Sequence, residues 1–364
     1  MSEPVRSIWY DVQAEQGAEF EDFDGWLWTA TFGDPLAEYE AVRSAAGMWD
    51  VYPLVKLDFT GPDALRAAQR AFTNDVTSMN EGQVRYGAFV GEGGTMVDDG
   101  TVYKLAEDHC WLMVNTPGQE EWFHGLAEGM EFEIVDRTHE MPLISIQGPR
   151  SREVLQALTD ANLSALRYFT FAPDRAEVGG IPCWILRTGF SGELGYELIP
   201  DRDGAVRLWK MIQRAGATPF GTNGIEIARI ESGMIVVGVD YEPGGDRTPY
   251  DLSFDRLVKL DSGFAGADAL RDRAAAPPNR LVTLRVQGDA APQYGAAVTW
   301  DGREVGVATS VASSPRFGTI ALAVVRSELA QVGTPVEVAL GDGTVPATTD
   351  ILSVYDPEKQ RPKS

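Results

Sequence analysis

The chain has 364 residues, 44% of them hydrophobic, and a formal net charge of −23 at pH 7. That length leaves room for two or three domains with buried cores. So large an excess of carboxylates excludes nucleic acid and anionic membrane as partners, because both require a positive surface.

The elements follow in chain order. Residues 1–7 lack an apolar core, so no signal peptide is expected. No apolar run approaches membrane-spanning length, and a cytoplasmic protein is expected. Val55-Lys-Leu-Asp-Phe59 alternates apolar and polar side chains, as a half-buried strand does. Gly61-Pro-Asp63 opens a helix over 64–72, with proline near its first turn. Residues 96–105 and 111–114 read as strands joined by a polar turn, 119–128 as a helix, 143–146 as a strand and 152–158 as a helix. Strands are expected at 183–187 and 196–199, and helices at 205–215 and 225–234. The first of those helices carries an apolar stripe at Val206, Trp209 and Ile212.

A Pro- and Ala-rich stretch over 274–279 marks a boundary. Beyond it, short strands at 281–286, 305–311, 319–325 and 336–340 predict a small antiparallel barrel or sandwich. Asp301-Gly302 and Gly341-Asp-Gly343 suit its hairpin turns. The predicted domains are thus 1–275 and 280–355, with a polar tail, 356–364, expected to fray. Cys110 and Cys183 lie in apolar runs and are expected as buried thiols. The three histidines, at 109, 124 and 139, have no metal-ligand spacing, and no metal is expected.

Chemistry concentrates in a few segments. Arg187-Thr-Gly-Phe-Ser-Gly-Glu-Leu-Gly-Tyr-Glu-Leu198 places Glu193 and Glu197 among three regularly spaced glycines. Glycines let a backbone turn sharply and approach a ligand closely. A carboxylate there can accept paired hydrogen bonds from a flat ring with adjacent N–H donors, such as a pterin edge. The same spacing also suits a tight turn with two solvated glutamates. Gly93-Gly-Thr-Met-Val-Asp-Asp99 follows a turn with paired aspartates on a strand, where at most one faces a pocket. Two exposed turn aspartates are the plain alternative. Tyr86 and Asn115 read equally well as an ordinary strand aromatic and a strand-ending turn residue.

In this order the segments resemble the glycine-cleavage T-protein family of folate-dependent one-carbon transferases. The resemblance covers about residues 20 to 352. It implies an α+β, three-lobed fold with two interleaved lobes, a C-terminal antiparallel β-barrel and a central folate channel. The implied cofactor is tetrahydrofolate, held by Tyr86, Asp98, Asn115, Arg187 and Glu197. Asp98 is the implied catalytic carboxylate, with Asp99 the weaker candidate.

Arg229-Ile-Glu-Ser-Gly233 and Gly238-Val-Asp-Tyr-Glu-Pro243 are more similar to the family's demethylase branch. There Tyr241 would act as an acid and line the substrate side with Tyr52 and Trp26. Ile225 stands where aminomethyl carriers have a folate-contacting arginine, and Asp50-Val-Tyr-Pro-Leu54 departs from their motif. The expected activity is therefore demethylation of a small methylated substrate, with methyltetrahydrofolate as product. Glycine-cleavage aminomethyl transfer and non-catalytic folate binding are the alternatives.

Overall fold

A computed structural model describes residues 3–364. Two sheets stack at its centre. One has five strands, in the order Val84–Val90, Met96–Ala106, His109–Val114, Val55–Thr60 and Glu133–Asp136. The other has six, in the order Ala176–Val178, Ile181–Leu186, Gly195–Pro200, Ile144–Gln147, Gly47–Asp50 and Thr218–Pro219. The chain starts the six-stranded sheet at Gly47–Asp50, leaves to build the five-stranded one, and returns at Ile144–Gln147. That exchange is the interleaving the sequence implied.

Side-chain alternation along each strand separates two apolar faces. Leu57, Phe59, Val102 and Leu112 pack on one side of the five-stranded sheet, under helices Ala64–Ala71 and Glu120–Leu126. Tyr103, Trp111 and Met113 point the other way and meet Leu186 and Ile199 of the six-stranded sheet. The far face of that second sheet buries Ile144, Ile185 and Leu198 against helix Ala205–Arg214. The layers therefore run helix, sheet, sheet, helix.

The last lobe is a closed antiparallel barrel: Asn279–Val286, Gly318–Arg326, Arg303–Ser314, Ala296–Trp300, Pro335–Leu340 and Gly343–Asp350. Two of its strands, Ala296–Trp300 and Gly343–Asp350, were not legible in the sequence. Both are polar enough on their outer face to pass for loop. The tail does not fray. Pro362 is buried, and the Arg361 guanidinium lies over the Tyr355 ring, 5.0 Å from its centroid. Arg361 also reaches Glu193 at 3.4 Å, which gives the tail a charged anchor.

A buried polar hub joins the lobes. Glu231, at the end of helix Thr222–Glu231, accepts hydrogen bonds from Tyr39, from Arg43 on helix Pro35–Ser44, and from Ser314 of the barrel. Arg43 also donates to the Ser191 carbonyl and pairs with Glu193 at 3.2 Å. Replacing Glu231 with alanine leaves the buried Arg43 with one weaker carboxylate partner. It is expected to cost about 3–5 kcal/mol, measured by urea unfolding. A loss below about 1 kcal/mol would show that the hub does not hold the lobes together.

Candidate functional site

The two neighbouring aspartates part company on strand Met96–Ala106. Asp98 lies on the face of Val102, toward the helix-covered side. It is fully buried, and its oxygens accept from five N–H donors: the backbone of Asp99, Asn115 and Thr116, and the amides of Asn115 and Gln119. Burial raises its carboxyl, and these donors pull it back part of the way. Every lone pair is engaged, so Asp98 is a bracket for the turn after strand His109–Val114. The resemblance implied Asp98 as the reacting carboxylate; the structure places it in this bracket, on the opposite face from Asp99.

Asp99 points to the opposite face, between the sheets. Its two oxygens each accept from a phenol, Tyr86 at 2.7 Å and Tyr241 at 2.5 Å. Burial, with the Asp98 charge next in weight, pushes its carboxyl up to about 7. The phenols hold their protons more tightly in turn. Burial and the Asp99 charge drive Tyr241 and Tyr86 well above the usual phenol range. The result is a proton-sharing trio whose only group titrating near neutrality is a carboxylate.

Asn115 donates its side-chain amide to both Asp98 and the Asp99 carbonyl, so it fixes the relative orientation of the pair. Farther along the same strand face lie Thr101 and Tyr103. Beyond them Glu197, on strand Gly195–Pro200, accepts from Thr188 at 2.5 Å. Among the described residues this is its one hydrogen bond, so most of its lone pairs stay available. Burial raises its carboxyl, and the buried Lys56 ammonium opposes that shift. Lys56, which the sequence analysis missed, donates to the Tyr52 carbonyl and is pushed down to about 7 by burial. Its place at a polar position of the alternating strand reads as the solvent face, so nothing in the sequence signals its burial.

Several expected site residues are engaged elsewhere. Arg187 is buried, with its guanidinium on the Gly195 and Ser364 carbonyls. The Tyr52 phenol donates to the His139 carbonyl, and its ring packs edge-on to Trp26 at 5.5 Å. Trp26 in turn stacks on His139. Both aromatics belong with the core under the six-stranded sheet and do not gather with Asp99 and Tyr241.

The glycine-rich turn also serves packing. A Cβ at Gly189 or Gly195 would lie 2.2 or 2.3 Å from the Gln147 amide, and one at Gly192 would lie 2.3 Å from the Ser232 hydroxyl. Close approach is required here, but by neighbouring side chains. Ile225 is 3% exposed, in the apolar cluster between the sheets.

The two aspartates should therefore respond differently to amidation. Asp98→Asn turns an N–H2 toward N–H donors and is expected to cost about 1–3 kcal/mol. Asp99→Asn removes a carboxyl whose folded pKa lies above its unfolded one, so the folded protein binds the extra proton between about pH 4 and 7. The native carboxyl loses stability as pH rises through that window. Asp99→Asn should thus raise the unfolding temperature most at pH 8 and little at pH 4. Thermal unfolding across that range measures both effects, and equal behaviour of the two variants would overturn the division of roles.

Comparison with known proteins fits this architecture. Residues 9–262 match the GCVT N-terminal domain model, and residues 279–356 match the glycine cleavage T-protein C-terminal barrel domain. An aminomethyltransferase of Caldanaerobacter subterraneus is 33% identical over 341 residues, 91% of this chain and 90% of that protein. A probable aminomethyltransferase of Haloarcula marismortui is 36% identical, covering 90% and 93%. The crystal structure of glycine cleavage system aminomethyltransferase T from Bartonella henselae superposes with a TM-score of 0.88 over 97% of this chain and 98% of that one, at 24% identity. These relatives overturn the demethylase expectation. Of the motifs that suggested it, the one around Arg229 is structural in this chain: Arg229 pairs with Asp240 at 2.8 Å and bonds Ser310 of the barrel. With two domain models covering most of its length and relatives above 30% identity across nine-tenths of it, the chain belongs to the glycine cleavage T-protein family.

Proposed function

We propose that this protein is an aminomethyltransferase that passes a one-carbon unit from an aminomethyl-loaded carrier protein to tetrahydrofolate, in the cytoplasm. The observation that carries the proposal is Asp99: a buried carboxylate near pKa 7, gripped by two phenols, on the inter-sheet face of its strand, with an under-used Glu197 on the facing sheet. Kinship with aminomethyltransferases supports the donor. No helix among the described residues is long and apolar enough to cross a membrane.

The donor set fits a reduced folate. Glu197 offers free lone pairs to a ring edge with adjacent N–H groups, and burial strengthens such bonds. When bound, tetrahydrofolate supplies the amine that accepts the carbon. Asp99 stands to hold that amine and take the proton it must lose. As a carboxylate it also stabilises positive charge on the arriving carbon. Tyr86 and Tyr241 keep Asp99 aimed, and the Asp98–Asn115 bracket keeps its strand in register. Ile225 packs in the apolar cluster and takes no part.

The sign of the pH dependence follows. A base must be ionised, so transfer is expected to rise with pH through about 7, where the Asp99 carboxyl loses its proton. Asp99→Asn should slow transfer by about 10²- to 10⁴-fold with little change in folate affinity. The measurement is passage of labelled carbon from a loaded carrier to tetrahydrofolate, with ammonia released. Full turnover by Asp99→Asn, or a pH profile unmoved by Tyr241→Phe, would sink the assignment.

A further inference from the structure

A buried ammonium lies in the cleft between the two sheets. Lys56 sits on strand Val55–Thr60 with Met113 opposite it; Met113 pairs with Thr101, and Thr101 with Tyr86. Cross-strand neighbours share a face, so Lys56 points into the cleft with Tyr86 and Asp99. On the facing sheet Glu197 lies between Leu186 and Ser145, and Ser145 pairs with Trp49. Leu186, Trp49 and Met113 belong to the apolar cluster that joins the sheets. Lys56 and Glu197 are therefore the charged members of two facing rows.

The ammonium is under-satisfied. Lys56 is 0% exposed. Among the described residues its Nζ donates one hydrogen bond, to the Tyr52 carbonyl at 2.7 Å, with the Tyr52 ring centroid 5.3 Å away. An ammonium has three N–H bonds, so burying it this way is costly. Burial favours the neutral amine, and three carboxylates that face it oppose that: Asp50, then Asp136, then Glu197. Asp50 is already engaged by Ser7, Gln13 and the Tyr52 N–H. Asp136 is solvent-exposed and accepts from the Thr138 N–H. Glu197 is the one of the three inside the cleft with lone pairs to spare. Tyr103 and Tyr168 also feel the Glu197 charge, but burial raises both phenols and keeps them neutral, so they cannot balance it.

We propose that Lys56 is a positioning residue for the folate ring: it supplies the counter-charge that keeps Glu197 ionised and ready to accept the ring N–H donors. The inference rests on the folate reading above. Lys56 is too deeply buried to touch a ring in the cleft, so it acts through the carboxylate. Burial pushes Glu197 toward its neutral acid, which presents an O–H where the ring needs an acceptor. The facing ammonium reverses part of that, and does so only while it is charged, below about pH 7.

Calorimetry with tetrahydrofolate at about pH 6 and about pH 9 tests this on the wild type, Lys56→Met, Glu197→Gln and the double variant. Without Lys56 the Glu197 carboxyl keeps its proton to higher pH, so Lys56→Met should bind about tenfold more weakly at the lower pH. At the higher pH the wild-type lysine is already neutral, and the two should bind alike. In the Glu197→Gln background Lys56→Met should change nothing at either pH. A loss that is equal at both pH values, or that persists beside Glu197→Gln, is structural and overturns the inference, as does no loss at all. Folate binding by the wild type then leaves the folate reading standing. The pairing also has a ligand-free readout. Carbon NMR of the Glu197 carboxyl should show its titration moved to higher pH in Lys56→Met. Should that variant not fold, Glu197→Gln should make Lys56 titrate at lower pH. An unmoved titration overturns the pairing. If the titrations move as stated but the wild type binds no tetrahydrofolate, the pairing stands and the folate reading falls.

Discussion

Everything in this architecture depends on one buried contact, the Arg43–Glu231 pair. Two helices, the glycine-rich turn and the barrel converge on it, because each supplies a polar group that bonds there. Tyr39, Ser314 and the Ser191 carbonyl complete its hydrogen bonds. Burying two charges gains little net stability. What it gains is uniqueness. An apolar contact of equal area would tolerate sliding, whereas a guanidinium satisfied on three sides admits one arrangement of the lobes. The face between the two sheets, where Asp99 and Glu197 lie, exists only because that arrangement is fixed.

The paired aspartates show how one strand serves structure and chemistry together. Neighbours along a strand see opposite faces. Asp98 receives a full set of donors and becomes part of the frame. Burial, with the like-charged Asp98 next in weight, raises the Asp99 carboxyl to about 7 against the pull of its two phenols. Its environment is unfavourable to the charge it carries at higher pH. Such a conflict between stability and local electrostatics is the ordinary mark of a reacting group.

The acidity of the chain takes a different meaning once charges are placed. Most cations pair with carboxylates or cap carbonyls, as Arg229, Arg280 and Arg285 do. A net charge of −23 therefore coexists with local positive sites, and those few sites are where an anionic group finds least repulsion. Bulk charge excludes extended polyanions.

The sequence alone determined the family and the α+β class with its closing antiparallel barrel. Each is carried by local pattern: alternation, turn residues, or an ordered set of short motifs. It did not settle which aspartate faces inward, because a period of two gives parity without direction, and the packing of a whole sheet chooses the face. Nor did it show that Arg187, Tyr52 and Trp26 are engaged elsewhere, since Arg187 reaches Ser364 and both Tyr52 and Trp26 reach His139, far away along the chain. The activity itself was misread from Arg229 and Tyr241, whose contacts with Asp240 and Asp99 belong to the frame and to proton sharing. Side-chain partnership is a tertiary fact, and only the folded chain decided it.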